Sequence, residues 1–239
     1  MRFKNRRDAG RRLVRLLDDC AGRSDVIVLA LPRGGVPVAY EVAEALNAPL
    51  DVLLVRKLGV PGQEELAMGA IASGGTQVLN DDVIGSLGIT DDVIAKIAGQ
   101  ELLELERRER LYRGNRPMPK LDGRTVIVVD DGLATGSTMQ AAVAAIYKQH
   151  PARIIVAVPI AAASSCESFN RPTEGIRCVC EEAVEPFYAV GFWYEDFDQT
   201  SDEEVCKLLQ QAGRPAKIKE TRKSAGSENQ HLNWKKEQL

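Results

Sequence analysis

Six apolar residues in succession, Val26–Leu31 (VIVLAL), stand between Asp25 and Pro32. The run is too short for a core helix and lacks the alternation of a strand wetted on one face. It suits a strand buried on both sides, and such strands belong to parallel sheets covered by helices above and below. The pattern recurs along the chain. Residues 36–46 read as a helix, 50–56 as a strand, 124–130 as a strand, 137–149 as a helix and 153–160 as a strand. Alternation at these lengths predicts an α/β fold built on a doubly wound, mostly parallel sheet.

Ahead of the first strand, Leu13, Val14, Leu16 and Leu17 among basic residues predict an amphipathic helix over 6–20, with its arginines on a solvated face. Between the strands at 50–56 and 124–130 lies a long excursion. Its first part, 58–69 (LGVPGQEELAMG), has the glycine and proline content of a lid. Two short strands, 69–73 and 76–79, are expected around a turn at Gly74 and Gly75. A long helix follows over 91–113, with Val93, Ile94, Ile97, Leu102, Leu105 and Leu111 as its apolar stripe and its many charges facing solvent. Ser201 with Glu204 forms a capping box that starts a helix over 202–211. Residues 1–212 are thus expected to form one domain. Its N-terminal helix and residues 183–212 would contribute a small hood, and 213–239 would be a polar, disordered tail.

Composition removes several classes of function. Lysine and arginine number 31 against 34 aspartates and glutamates in 239 residues, a formal net charge of −3, so no global positive field favours nucleic acid or an anionic membrane. The longest apolar run, Ile154–Ala163, falls short of the ~20 residues a membrane helix needs, and the N-terminus is too polar for a secretory signal. A cytoplasmic location is the expectation. Five cysteines without a Cys-x-x-Cys pair suggest reduced thiols, and Cys178 with Cys180 would share a strand face but lack two further ligands for tetrahedral zinc. His150 and His231 are the only histidines, at a helix end and in the polar tail, which disfavours a Ser-His-Asp triad.

The chemistry concentrates in residues 126–139, VIVVDDGLATGSTM. A buried strand ends in two carboxylates, passes through a turn of small residues and opens a helix. Ligands of open α/β sheets sit at the carboxyl ends of strands, and a helix N-terminus offers free N–H groups to an anion. Thr135, Gly136, Ser137 and Thr138 fit a phosphate cradle, while Asp130 and Asp131 suit sugar hydroxyls that donate hydrogen bonds; a sugar phosphate satisfies both. The two aspartates start on opposite sides of an extended strand, so only the following turn can bring both to one ligand, or else one of them fixes the loop. No GxxxxGK[ST], GxGxxG or GxSxG motif competes at these turns. The bland alternative is a helix capped by Ser137 or Thr135.

Here the chain resembles the type I phosphoribosyltransferases, whose signature is a hydrophobic strand, two acidic residues, a short spacer and Thr-Gly-x-Thr. The resemblance covers roughly residues 26–182. LPRGGVPVAYEVA, RKLGVPGQEELAMGAIA, VDDGLATGSTM and YEDFDQTSDEEV are similar to a bacterial group of such enzymes whose acceptor is undefined. It implies that Asp130 and Asp131 hold the ribose of 5-phosphoribosyl 1-pyrophosphate (PRPP), that Ala134, Thr135, Gly136, Ser137 and Thr138 bind its 5′-phosphate, and that Arg33, Gly34 and Gly35 form the pyrophosphate loop. Arg56, Lys57 and Asp131 take the catalytic roles, and residues 58–69 the flexible lid. Family members acting on 6-oxopurines place an aspartate where this chain has Ala134, so the resemblance does not extend to that acceptor class.

The implied reaction displaces pyrophosphate from ribose C1 by a nitrogenous acceptor, with Mg²⁺ held through PRPP rather than directly by the protein. The expected partners are PRPP and a small-molecule acceptor, with neither membrane nor nucleic acid, and a homo-oligomer such as a dimer is expected. Glu64 and Glu65 are candidate bases by position, although solvent-facing charges are the simpler reading. The aromatic stretch 187–197 reads first as packing and second as a platform for a planar acceptor. A PRPP-binding regulator without turnover is the alternative, since fold does not fix function.

Overall fold

A computed structural model describes residues 2–213. The expected tail and His231 lie outside them. A five-stranded parallel sheet holds β1 (Val26–Ala30), β2 (Leu50–Val52), β6 (Thr125–Val129), β7 (Arg153–Ala162) and β8 (Ile176–Val184), in the order β2-β1-β6-β7-β8. A second, antiparallel sheet holds β3 (Val55–Val60), β4 (Gln63–Ala72) and β5 (Thr76–Leu79). The helices are α1 (Arg6–Leu13), α2 (Gly35–Leu46), α3 (Asp81–Leu87), α4 (Asp91–Arg113), α5 (Ser137–Tyr147), α6 (Ala163–Ser168) and α7 (Asp202–Ala212).

The apolar runs divide as their strand period requires. Val28 and Ala30 of β1, with Ile127 and Val129 of β6, pack beneath α1, α2, α4 and α7, whereas Ile27, Leu29, Val126 and Val128 pack beneath α5 and α6. Both faces are covered, which makes the fold the doubly wound α/β architecture that continuous rather than alternating strands imply. From β1 the chain winds to the edge strand β2, then returns to place β6 on the other side of β1. The strand order therefore reverses between β1 and β6, and the crevice beyond their carboxyl ends is where such sheets receive ligands.

Four expectations need correction. The strand expected over 50–56 breaks after Val52: Leu53 N–H still donates to Ala30 O of β1, but Leu54 exchanges hydrogen bonds with Ser73, its N–H to Oγ at 3.0 Å and its O from the Ser73 N–H at 2.9 Å. Ser73 is fully buried at that junction and draws the chain into the second sheet. Residues 58–69, the expected lid, lie in the two arms of a hairpin, closed by Pro61 and Gly62 between the paired Val60 and Gln63. Gly62 has φ 75°, the turn position that favours glycine. The strand expected over 69–73 is the end of β4, and Ser73–Gly75 forms a 3₁₀ turn before β5. The helix expected over 6–20 is α1 followed by two 3₁₀ turns, Val14–Leu16 and Asp18–Cys20. Along α4, Leu111 is exposed, and Tyr112 and Arg113 are the buried side chains of its last turn. No described helix is long and apolar enough to cross a membrane.

Candidate functional site

The turns after β1 and β6 meet at the reversal point. Leu31 N–H donates to Val129 O, and the chain then runs through a cis Pro32–Arg33 peptide into α2. Gly34 and Gly35 pass so close to the acidic pair that a side chain would not fit. A Cβ on Gly34 would lie 2.0 Å from Asp131 Oδ2, and one on Gly35 would lie 2.6 Å from Val129 O and 2.9 Å from Asp130 Cα. The glycines of LPRGG are thus required by a close approach, which the sequence showed only as a turn.

Asp130 Oδ1 accepts the Asp131 backbone N–H at 2.8 Å, which folds the first carboxyl back over the start of the turn. The second carboxyl meets a cation from the far end of the sequence: Arg6 Nε donates to Asp131 Oδ2 at 2.8 Å, and both side chains are largely buried, at 11% and 15% exposure. Arg6 also donates from Nη1 to Asp198 O at 2.6 Å and lies over the Phe197 ring, 3.9 Å from its centroid. Tyr194 donates its hydroxyl to Asp131 O at 2.6 Å. Burial, and for Asp130 the neighbouring Asp131 charge, pushes both carboxyls above their ordinary range; the Arg6 hydrogen bond and charge pull Asp131 part of the way back.

Arg6 and Tyr194 are two of the site residues that the sequence reading missed. Arg6 was expected on a solvated face, and nothing in the local pattern separates it from Arg7 and Arg11, which pair with Glu41 at the surface. Phe3 brings the two together. It pairs with Tyr194 in a short parallel bridge and packs with Tyr194 and Ile160 in a small core, so the aromatic stretch serves packing at this point. Tyr188 and Phe192 of the same stretch are exposed.

After Asp131, Gly132 passes under Val190, and Leu133 joins the sheet by two bonds: its N–H to Ile160 O, and its O from the Ala162 N–H. Ala134 and Thr135 are exposed, Gly136 is buried at φ 75°, and Ser137 and Thr138 open α5 with exposed side chains. Gly136 holds the N-cap position and no side chain caps the helix; the Thr135 and Ser137 hydroxyls contact each other at 3.3 Å instead. The capped-helix alternative therefore does not hold. What is left is a helix start whose first N–H groups have no intrahelical acceptor, ringed by small hydroxyls and one turn away from two carboxylates.

The basic candidates are distributed differently from the expectation. Arg56 and Lys57 lie inside β3 rather than at a strand end, so their side chains leave on opposite faces. Arg56 Nε meets Glu101 Oε2 of α4 at 2.6 Å. It lines a narrow cleft of about 40 Å³ with Pro32, Arg108 and Thr138. Lys57 lines a wider cleft of about 340 Å³ between the antiparallel sheet and α5, together with Ser137 and Thr138. Arg33 reaches toward Asp202 at the start of α7, 3.9 Å away. Arg108 was expected on a solvated face of α4 and instead borders the site, paired with Glu104 at 2.8 Å. Glu64 is exposed, and His150 is exposed at the end of the α5 connection.

Comparison with known proteins accords with this geometry. The phosphoribosyl transferase domain family matches residues 4–171. Over 212 residues the chain is 44% identical to a protein of two Mycobacterium tuberculosis strains, CDC 1551 and H37Rv, named "putative phosphoribosyl transferase" in both; the match takes in 89% of this chain and 47% of theirs. The chain thus spans about half the length of the curated relatives it matches. It is 36% identical over 134 residues to the bifunctional protein PyrR of Chloroflexus aurantiacus, covering 54% of this chain and 66% of that one. The crystal structure of TT1426 from Thermus thermophilus superposes with a TM-score of 0.77 at 39% identity, over 88% of this chain and 99% of that one.

Proposed function

Because the chain belongs to the phosphoribosyltransferase family, we propose that it binds PRPP at the reversal point and transfers the phosphoribosyl group to a nitrogenous acceptor, releasing pyrophosphate. One observation carries the reading: the uncapped start of α5, with Thr135, Ser137 and Thr138 exposed around it, stands just after the half-buried Asp130–Asp131 pair. An anion suits the first, and hydroxyl donors suit the second. Residues 1–212 act as the functional unit, with α1 and 183–212 as its hood.

In this reading the ribose hydroxyls donate to Asp130 and Asp131, and the Ala134–Thr138 turn takes the 5′-phosphate. The acceptor nitrogen attacks C1 as the bond to pyrophosphate breaks, and the leaving group departs with the electron pair. Its growing negative charge is met by Arg33, Arg56 and Lys57, of which Arg56 shares a cleft with Pro32 and Thr138, and Lys57 one with Ser137 and Thr138. Arg56 then exchanges Glu101 for pyrophosphate oxygens. The low-dielectric pocket that raises both carboxyls also strengthens their hydrogen bonds to sugar hydroxyls.

Magnesium fits this donor set as an ion carried on the substrate. Among the described residues no three acidic, histidine or cysteine side chains converge as a metal cage, and Mg²⁺ is commonly bound through substrate phosphates. Bound with PRPP, it supplies counter-charge to the departing pyrophosphate.

Calorimetric titration of PRPP with Mg²⁺ tests the shared assumption, on wild type and on the Asp130→Asn, Asp131→Asn double variant. Binding by wild type and its loss in the folded variant are expected. No binding to folded wild type, or equal affinity in the variant, overturns the proposal. An acceptor screen read by pyrophosphate release then separates transfer from binding alone.

A further inference from the structure

Three of the five cysteines meet at one point on the far side of the phosphate turn. Cys166 of α6 places its Sγ 2.6 Å from Cys178 Sγ and 3.4 Å from Cys180 Sγ, and the latter two share a face of β8. Sequence spacing showed only the β8 pair; the third thiol arrives through the fold. Cys166 is buried, whereas Cys178 and Cys180 are partly open. The helix that carries Cys166 also supports the turn. Ser165 donates its hydroxyl to Ala134 O, and the Phe169 ring, just beyond α6, sits 3.2 Å from where a Cβ on Gly136 would lie.

We infer that Cys166 and Cys178 form a reversible thiol-oxidation site, closed to a disulfide by a hydroperoxide, whose state resets the Ala134–Gly136 turn through α6. The separation exceeds a sulfur–sulfur bond of ~2.0 Å by little, so closure demands small side-chain movement. Cys178, the more open of the two, attacks the peroxide oxygen. The O–O bond breaks, a sulfenic acid forms on Cys178, and water or an alcohol leaves. Cys166 then attacks that sulfur, the S–O bond breaks, water leaves and the S–S bond forms; both thiol hydrogens end in the released products. The hydrogen bond with Cys178 pushes the Cys166 thiol up to about 12, which disfavours it as the sulfur that meets the peroxide first. Cys180, 3.4 Å from Cys166 Sγ, stays within reach to exchange into the bridge, which frees one thiol and keeps one disulfide until an external dithiol reduces it.

The small shift of Cys166 is passed on through its neighbours in the chain to two contacts, Ser165 with Ala134 and Phe169 with Gly136, and both belong to the turn proposed for the 5′-phosphate. The disulfide itself does not depend on that proposal; only its effect on PRPP affinity rests on it.

The test treats the full reduced chain with a small excess of hydrogen peroxide and follows it by peptide mass spectrometry and hydrogen exchange. A Cys166–Cys178 linked peptide is expected, with a loss of about 2 Da. Free thiols should fall from five to three, with full reversal by dithiothreitol. Exchange in the 132–139 peptide should differ between the two forms while the β1 peptide stays the same. The Cys180→Ser variant should still form the link and Cys166→Ser should not. Absence of the link in wild type, a Cys178–Cys180 link that persists in Cys166→Ser, or a link that leaves the 132–139 peptide unchanged each overturns the inference. If the reduced chain fails to bind PRPP while the link forms and moves that peptide, the ligand proposal falls and this one stands.

Discussion

Arg6 and Asp131 are 125 residues apart in sequence and 2.8 Å apart in space, joining the first turn of the chain's first helix to the end of its central strand. The contact orients a carboxyl whose position decides what the crevice can hold. It also makes the hood part of the site, because Phe197 and Asp198 hold the same guanidinium.

Replacing Arg6 with Gln removes the cation from a carboxyl that burial already disfavours in its charged form. The expected loss of stability is at most about 3 kcal/mol, below the full figure for a wholly buried pair because both groups retain some solvent contact. Urea unfolding of the single variants and of Arg6→Gln, Asp131→Asn measures the coupling. A double variant that loses the sum of the two singles would show that the pair contributes nothing.

The raised carboxyls predict an unusual pH dependence. Between the ordinary value of 3.8 and their raised values, the native protein holds protons that the unfolded chain has released, so this pair lowers stability as pH rises. Asp130→Asn keeps the oxygen that accepts the Asp131 N–H and removes the buried charge. The variant should melt higher than wild type near neutral pH, and the two should converge as pH falls toward 3.8. Thermal unfolding across that range checks the sign, and ligand titration should show binding lost where stability is gained.

Adjacent glycines should respond differently to alanine. The Gly34 methyl would meet the end of the Asp131 side chain, which can rotate away, whereas the Gly35 methyl would meet Val129 O and Asp130 Cα, which are backbone. Gly34→Ala should therefore displace the carboxylate from Arg6 and weaken PRPP binding, with a stability loss that disappears in the Arg6→Gln background. Gly35→Ala should cost about 1–3 kcal/mol through overpacking. Parallel unfolding and titration data on the two variants separate these outcomes.

Arg113 anchors α4 beside the break between β2 and β3. It is 5% exposed, donates to both Asp51 oxygens at 3.1 and 3.2 Å and to Val52 O at 2.7 Å, and contacts Glu109 at 3.1 Å. Arg113→Ala leaves Asp51 buried and without that cation, and a loss of about 3–5 kcal/mol is expected. Arg110→Ala, on the exposed side of the same turn, should change stability by less than about 1 kcal/mol in the same urea titration.

Strands β1, β6 and β7 were legible because burial on both faces writes itself as an unbroken apolar run. The same signal concealed the break after Val52: Leu53, Leu54 and Val55 are as apolar as their neighbours, and the partner that diverts them is Ser73, 19 residues on. Helix α3 was overlooked although its signs are local, Asn80 capping the Val83 N–H and Gly88 closing the end at φ 61°. The acidic pair and the small-residue turn that opens α5 were readable because both lie in one contiguous stretch. Arg6, Tyr194 and Arg108 were not, since each reaches the site from an element whose own pattern is satisfied by surface or core packing.

The hairpin closed by Pro61 and Gly62 belongs to a sheet separate from the one that carries the acidic pair, and the chain passes between them at Leu54 and Ser73. Inheritance can therefore act on the two halves separately. Insertions at the Gly62 tip, where an added Cβ meets open space, could lengthen one wall of the crevice across a lineage while the strands beneath keep their register. A lineage of such chains could diversify in what it accepts at one wall while the turn at 134–138 and the pair at 130–131 stay as they are.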